Sequence, residues 1–229
     1  YAKGSLALLL AGIWLHLPLG SLSLCAASLA VAAILLGTRT RHATLLFHGL
    51  LLLMTAAWSS GLFVVIAGAT MGAPPPAPGW IAPLAGVAAV LCYAGMPRNG
   101  LSREWGQLLR LLLAAMAAGT LTALAVWIVV RATALAVAPG AEHVALARTL
   151  ASCVTALALA WCGLHWQRKE LVWLAWTALV LTAFKILFED LRHGHLGYTA
   201  ASIFLYAVTL LLVPRFLRTR GANVRHGSG

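Results

Sequence analysis

Residues 170–218 read ELVWLAWTALVLTAFKILFEDLRHGHLGYTAASIFLYAVTLLLVPRFLR, and this stretch decides the fold. Leu171–Phe188 is almost wholly apolar, with Lys185 the one charge inside it. A polar junction follows with Glu189, Asp190, Arg192, His193 and His195, and then a second apolar run, Ala200–Val213. Pro214 and the bases Arg215, Arg218, Arg220 and Arg225 close the chain. A hydrocarbon core about 30 Å thick takes roughly 20 apolar residues per helix, and bases concentrate on the cytoplasmic side. Two apolar runs with acids between them and bases at their outer ends therefore predict a membrane hairpin.

The rest of the chain repeats this rhythm. Of its 229 residues, 62% are hydrophobic and 9% are charged, against about 25% charged in an ordinary soluble domain. Apolar stretches predict eight short spans at about 5–16, 21–37, 43–67, 80–96, 105–130, 144–165, 171–188 and 198–214. The fold class expected is an all-α, polytopic transmembrane bundle of consecutive hairpins, one domain over 1–229. Pro18 and Gly20 punctuate the first turn, and the prolines among 74–78 mark a longer loop.

The net charge of +11 would suggest nucleic acid in a soluble domain. Here the bases sit in short links, where they report orientation instead. With eight spans, one side receives Lys3, Arg39, Arg41, Arg98, Arg103, Arg168, Lys169, Arg215, Arg218, Arg220 and Arg225. The other receives Arg131, Arg148 and Arg192 together with Glu142, Glu189 and Asp190. This asymmetry places both termini in the cytoplasm and predicts membrane lipids and other membrane subunits, not nucleic acid, as partners.

Arg148-Thr149 opening a span, the turn Trp166-Gln167-Arg168-Lys169, and LTAFKILFED at 181–190 carry a family resemblance. The segment Arg148–Arg218 resembles the C-terminal end of a large family of bacterial multi-spanning membrane proteins of unknown function. Lys185 and Asp190 fall where that family tends to place a Lys and an Asp. Tyr198-Thr199 and Ala200-Ala201-Ser202 depart from its usual Arg and Gly-rich last span. The resemblance implies a multi-pass fold in the bacterial cytoplasmic (inner) membrane and implies no activity. Since members are usually longer, and the chain opens Tyr-Ala-Lys, it reads as a C-terminal portion or a shortened relative.

Few residues offer chemistry. Lys185 lies at i,i+4 from Glu189, so an intramembrane ion pair with Glu189 or the adjacent Asp190 is available. A charge at a span centre costs about 2.5–3.5 kcal/mol on insertion scales and marks a functional site by default. Snorkelling to the boundary, or pairing that fixes helix depth, is the plainer expectation. His193-Gly194-His195 is a possible pair of metal ligands. His48 and His165 are the imidazoles placed to ligate haem or a chlorophyll-type pigment, although no cofactor is expected. The cysteines at 25, 92, 153 and 162 read as small buried hydrophobes. No phosphate loop, G-x-S-x-G or H-E-x-x-H occurs, so no catalytic residue is assigned and the chain is not expected to be an enzyme.

The function expected is that of a structural or accessory subunit, a scaffold within a larger membrane assembly. A transporter or flippase of a small or lipid-linked substrate is the alternative, with Lys185, Arg110, Thr120, Thr122, Thr155 and Thr182 as its polar material. A haem- or pigment-binding subunit comes third.

Overall fold

The computed structural model describes residues 12, 18–70, 81–96, 103–134, 141–191 and 196–225, and these are helical apart from short turns. The helices are α1 (Leu19–Thr40), α2 (Ala43–Ser59), α3 (Leu62–Thr70), α4 (Ile81–Ala94), α5 (Arg103–Ala134), α6 (Ala141–His165), α7 (Lys169–Lys185) and α8 (Leu196–Arg225). A single π turn, Ile186–Asp190, prolongs α7. Among the described residues five helices are long and apolar enough to cross a membrane, the regions 20–40, 106–132, 142–165, 169–190 and 196–216. Lipid supplies no hydrogen bonds, so a chain this apolar satisfies its backbone within each helix.

The expected count of eight spans is met only in part. The first predicted span, 5–16, falls outside the described residues. The third, 43–67, is broken: α2 and α3 meet at a 69° bend, and counting them as one span raises five to six. Ser60 and Gly61 cause the break. Gly61 takes φ +72°, a conformation glycine adopts without steric cost, and the Ser60 hydroxyl caps the Ala57 carbonyl at 3.1 Å. The fourth, 80–96, yields a helix of 14 residues, shorter than the roughly 20 that a crossing takes.

The chain divides into two compact units, residues 1–65 with 76–120, and residues 66–75 with 121–229. In the first, α1 and α2 form an antiparallel hairpin whose turn places Arg41 at φ 56°, and α4 packs against both. The hairpin is close because Gly49 has no side chain. A Cβ there would lie 2.5 Å from Ile34 Cγ1 and 3.2 Å from the Ala30 carbonyl oxygen. Buried Ser23 adds a polar tie, its hydroxyl 2.8 Å from that of Ser59 and 3.2 Å from the Ala56 carbonyl oxygen.

In the second unit α6, α7 and α8 pack around Ala156, Ala160, Ala175, Leu179 and Val213. Small side chains let helix backbones approach where lipid offers no hydrophobic drive for association. Ala156 and Ala160, four residues apart on α6, both lie in this core. The α6–α7 turn is a Schellman motif: Gln167 adopts φ 53°, its N–H donates to the Leu164 carbonyl, and that of Arg168 to Gly163. Of the cysteines, Cys92 and Cys153 are buried as expected, but Cys25 is exposed and Cys162 half-buried.

Gly49→Val is expected to lower thermal stability in detergent by about 1–3 kcal/mol, since backbone atoms of α1 cannot yield to a new side chain. Gly197→Ala, where a Cβ meets nothing within 4 Å, is expected to stay within about 0.5 kcal/mol of the parent. Equal effects at the two positions would remove the close-packing account of the α1–α2 hairpin.

Candidate functional site

Four charged side chains converge in the second unit, where the first turns of α6 face the last turn of α7. Arg148 and Lys185 are 1% and 4% exposed, and Asp190 is 3% exposed. The Glu189 side chain keeps 22% of its surface open. Lys185 was expected to snorkel or to pair, and it turns inward. Its Nζ donates to Asp190 Oδ1 at 2.5 Å, the Ala145 carbonyl at 2.6 Å and Thr149 Oγ1 at 2.7 Å. All three ammonium protons therefore have acceptors. A desolvated ammonium costs several kcal/mol unless it is paired and hydrogen-bonded, and Lys185 is both.

The π turn decides which acid Lys185 meets. In an α-helix residue i+4 lies beside residue i, while i+5 is turned away by about 140° at 100° per residue. A π turn closes i→i+5 hydrogen bonds, here Leu191 N–H to Ile186 carbonyl, and brings i+5 round toward residue i. Asp190 takes that place. Glu189, at the i,i+4 spacing that the sequence offers for Lys185, instead accepts Arg148 Nη1 at 2.5 Å.

Arg148 reaches Glu189 from α6, and its Nη2 donates to the Gly68 carbonyl of α3 at 2.9 Å. Thr149, fully buried beside it, accepts Lys185, and its one hydroxyl proton faces Asp190 Oδ2 and the Ala145 carbonyl, each at 3.2 Å. From α8 the Thr199 hydroxyl donates to the Asp190 backbone carbonyl at 3.0 Å. Ionised, the four side chains sum to zero, so the cluster brings no net charge into the apolar interior. Nearby, Tyr198 Oη and His143 Nε2 lie 2.9 Å apart and hold the first turns of α6 and α8 together.

Sequence reasoning put Arg148 among the bases of an aqueous link, and it is the largest fully buried side chain among the described residues. The signal that finds it is the one that singled out Lys185. Arg148 lies four residues inside the apolar run that begins at Val144.

The remaining candidates do not join this cluster. His48 belongs to the first unit, where its Nδ1 lies 2.5 Å from the Thr44 carbonyl oxygen. His165 belongs to the second, and its exposed ring stacks on Trp161 at 5.4 Å between centroids. His193 and His195 lie outside the described residues. No group of three His, Cys, Asp or Glu side chains that could hold a metal occurs among the described residues. Of the polar material considered for a transport path, Thr122 and Thr155 pair with each other at 2.9 Å. Thr120 and Thr182 donate to the carbonyls of their own helices, and Arg110 Nε to that of Gly106.

The chain matches no protein-family model, no curated protein and no solved structure.

Removing one partner of a buried pair leaves the other uncompensated. Lys185→Met is expected to cost about 3–5 kcal/mol in a reversible unfolding titration in mixed micelles. The double change Lys185→Met with Asp190→Leu should recover most of that loss, because a dry apolar contact replaces a neutral pair. A double variant no more stable than the single one would mean that the pair is not the unit holding this end of α7.

Proposed function

We propose that this protein is a non-catalytic accessory or scaffold subunit of a larger membrane assembly in the bacterial cytoplasmic membrane, with both termini in the cytoplasm. The observation that supports it most is that the strongest chemical groups of the second unit are engaged with one another. Lys185, Asp190, Arg148 and Glu189 form two ion pairs, and they tie α3, α6 and α7 together. Large apolar side chains face outward along α7 and α8, among them Trp173 at 71% and Leu211 at 74% exposure. Such surfaces can be covered by lipid or by helices of another subunit. Membership of the bacterial multi-spanning family that Arg148–Arg218 resembles belongs to this proposal.

Transport is the second reading, and the same cluster favours it. Ionisable residues inside a membrane bundle commonly line a substrate or ion path. The two readings differ in what accompanies the chain out of its membrane.

Native mass spectrometry on gently extracted protein is expected to find stoichiometric partner subunits. A lone chain bearing a lipid- or metabolite-sized mass would replace the scaffold reading with transport, and a haem-sized mass would return attention to His48 and His165. Orientation has its own check. A reporter fused after Gly229 that is active only in the cytoplasm should be active, and silence there would invert the topology.

A further inference from the structure

The junction of α7 and its π turn carries two carboxylates at helical spacings from Lys185. Glu189 stands at i+4, the α-helical distance, and Asp190 at i+5, the π distance. The π turn that selects Asp190 is the rarer geometry, and such turns appear mostly as single bulges within α-helices. Two contacts from other helices favour it here. Arg148 of α6 holds Glu189 at 2.5 Å, keeping that acid away from Lys185, and Thr199 of α8 donates to the carbonyl of Asp190. Loss of the Arg148–Glu189 pair would leave Glu189 available at the spacing an ordinary α-helix favours.

We propose that residues 185–190 form a two-register switch in which Arg148 sets the register. In one register the turn is π, Lys185 binds Asp190 and Arg148 binds Glu189. In the other the turn is α, Lys185 binds Glu189, and Asp190 swings about 100° away from α6 because one residue is absorbed into the helix. Lys185 keeps a carboxylate in either register, whereas in the α register Arg148 gives up Glu189 as Asp190 turns away from α6, so the π register is the resting one and the α register is reached when Arg148 is withdrawn. Every residue beyond the turn rotates with it, so the change at Arg148 reaches Leu191, just past the π turn. Phe188, within the turn and 64% exposed, stacks on Phe184 at 6.3 Å between ring centroids, a contact that the exchange would alter. The switch is independent of whether the protein works with partners or alone.

The composition of the chain makes the switch directly measurable. Asp190 is its single aspartate, and Lys3, Lys169 and Lys185 are its only lysines. Solid-state NMR on protein in lipid, labelled with 15Nζ-lysine and 13Cγ-aspartate, then reports the Lys185–Asp190 contact, with Lys185→Arg as the blank. The parent protein should show strong dephasing, and Arg148→Gln should lose at least half of it as Lys185 passes to Glu189. Unchanged dephasing in Arg148→Gln would overturn the proposal, because the π turn would then hold without Arg148. Should Arg148→Gln fail to fold, Arg148→Met, which frees Glu189 without burying a new polar group, takes its place. With 13Cδ-glutamate it should gain a lysine–glutamate contact absent from the parent, and no gain would likewise overturn the switch.

Discussion

An ammonium group inside a membrane bundle must find an acceptor for each of its protons and a counter-charge nearby. Lys185 imposes that requirement on the whole second unit. Its three hydrogen bonds bring the α6 backbone at Ala145 and the Thr149 hydroxyl to one side of α7, and they place Asp190 on the same side. With Asp190 drawn there, Glu189 faces elsewhere and becomes the counter-charge of Arg148. Arg148 in turn reaches the Gly68 carbonyl. One buried charge thus fixes the facing of two helices, the π turn, and the anchoring of α3. Unsatisfied, the same group would cost more than the packing around it provides.

The apolar remainder of the structure obeys a looser rule. Hydrocarbon is as apolar as leucine, so Leu/Ala faces gain little by meeting one another, and close backbone approach supplies the attraction instead. Gly49 against Ile34 does this in the first unit, and the Ala156, Ala160 and Ala175 contact in the second. Hydroxyl ties such as Ser23 with Ser59 and Thr122 with Thr155 add direction to contacts that packing alone leaves slippery.

This division explains what could be read from the chain. Helix existence follows from stretches of apolar residues and from the absence of alternative partners for the backbone, so helices occupy the apolar stretches from residue 105 onward. The break at Ser60–Gly61 was harder to read, because Gly61 sits in an apolar run and only its positive φ distinguishes it from a packing glycine. Lys185, Glu189 and Asp190 were visible as a group. Their pairing was not, because it follows from the π turn and from contacts with other helices, among them that of Glu189 with Arg148, 37 residues before Lys185. A residue next to an acidic link invites an aqueous reading, and depth inside the Val144 run was the better guide for Arg148.

Buried ion pairs are rarely the most stable way to join helices, since apolar residues of similar volume often do as well or better. What they provide is selectivity among arrangements. Slide α7 along α6 by one turn and an Ala/Leu face meets another Ala/Leu face at little cost, whereas Lys185 loses Ala145 and Thr149 together and Arg148 loses Glu189. The penalty falls on every wrong register and on no correct one. In a bundle whose apolar surfaces cannot tell one alignment from the next, four neutralising charges at one end are sufficient to define which helices meet, on which faces, and at what depth.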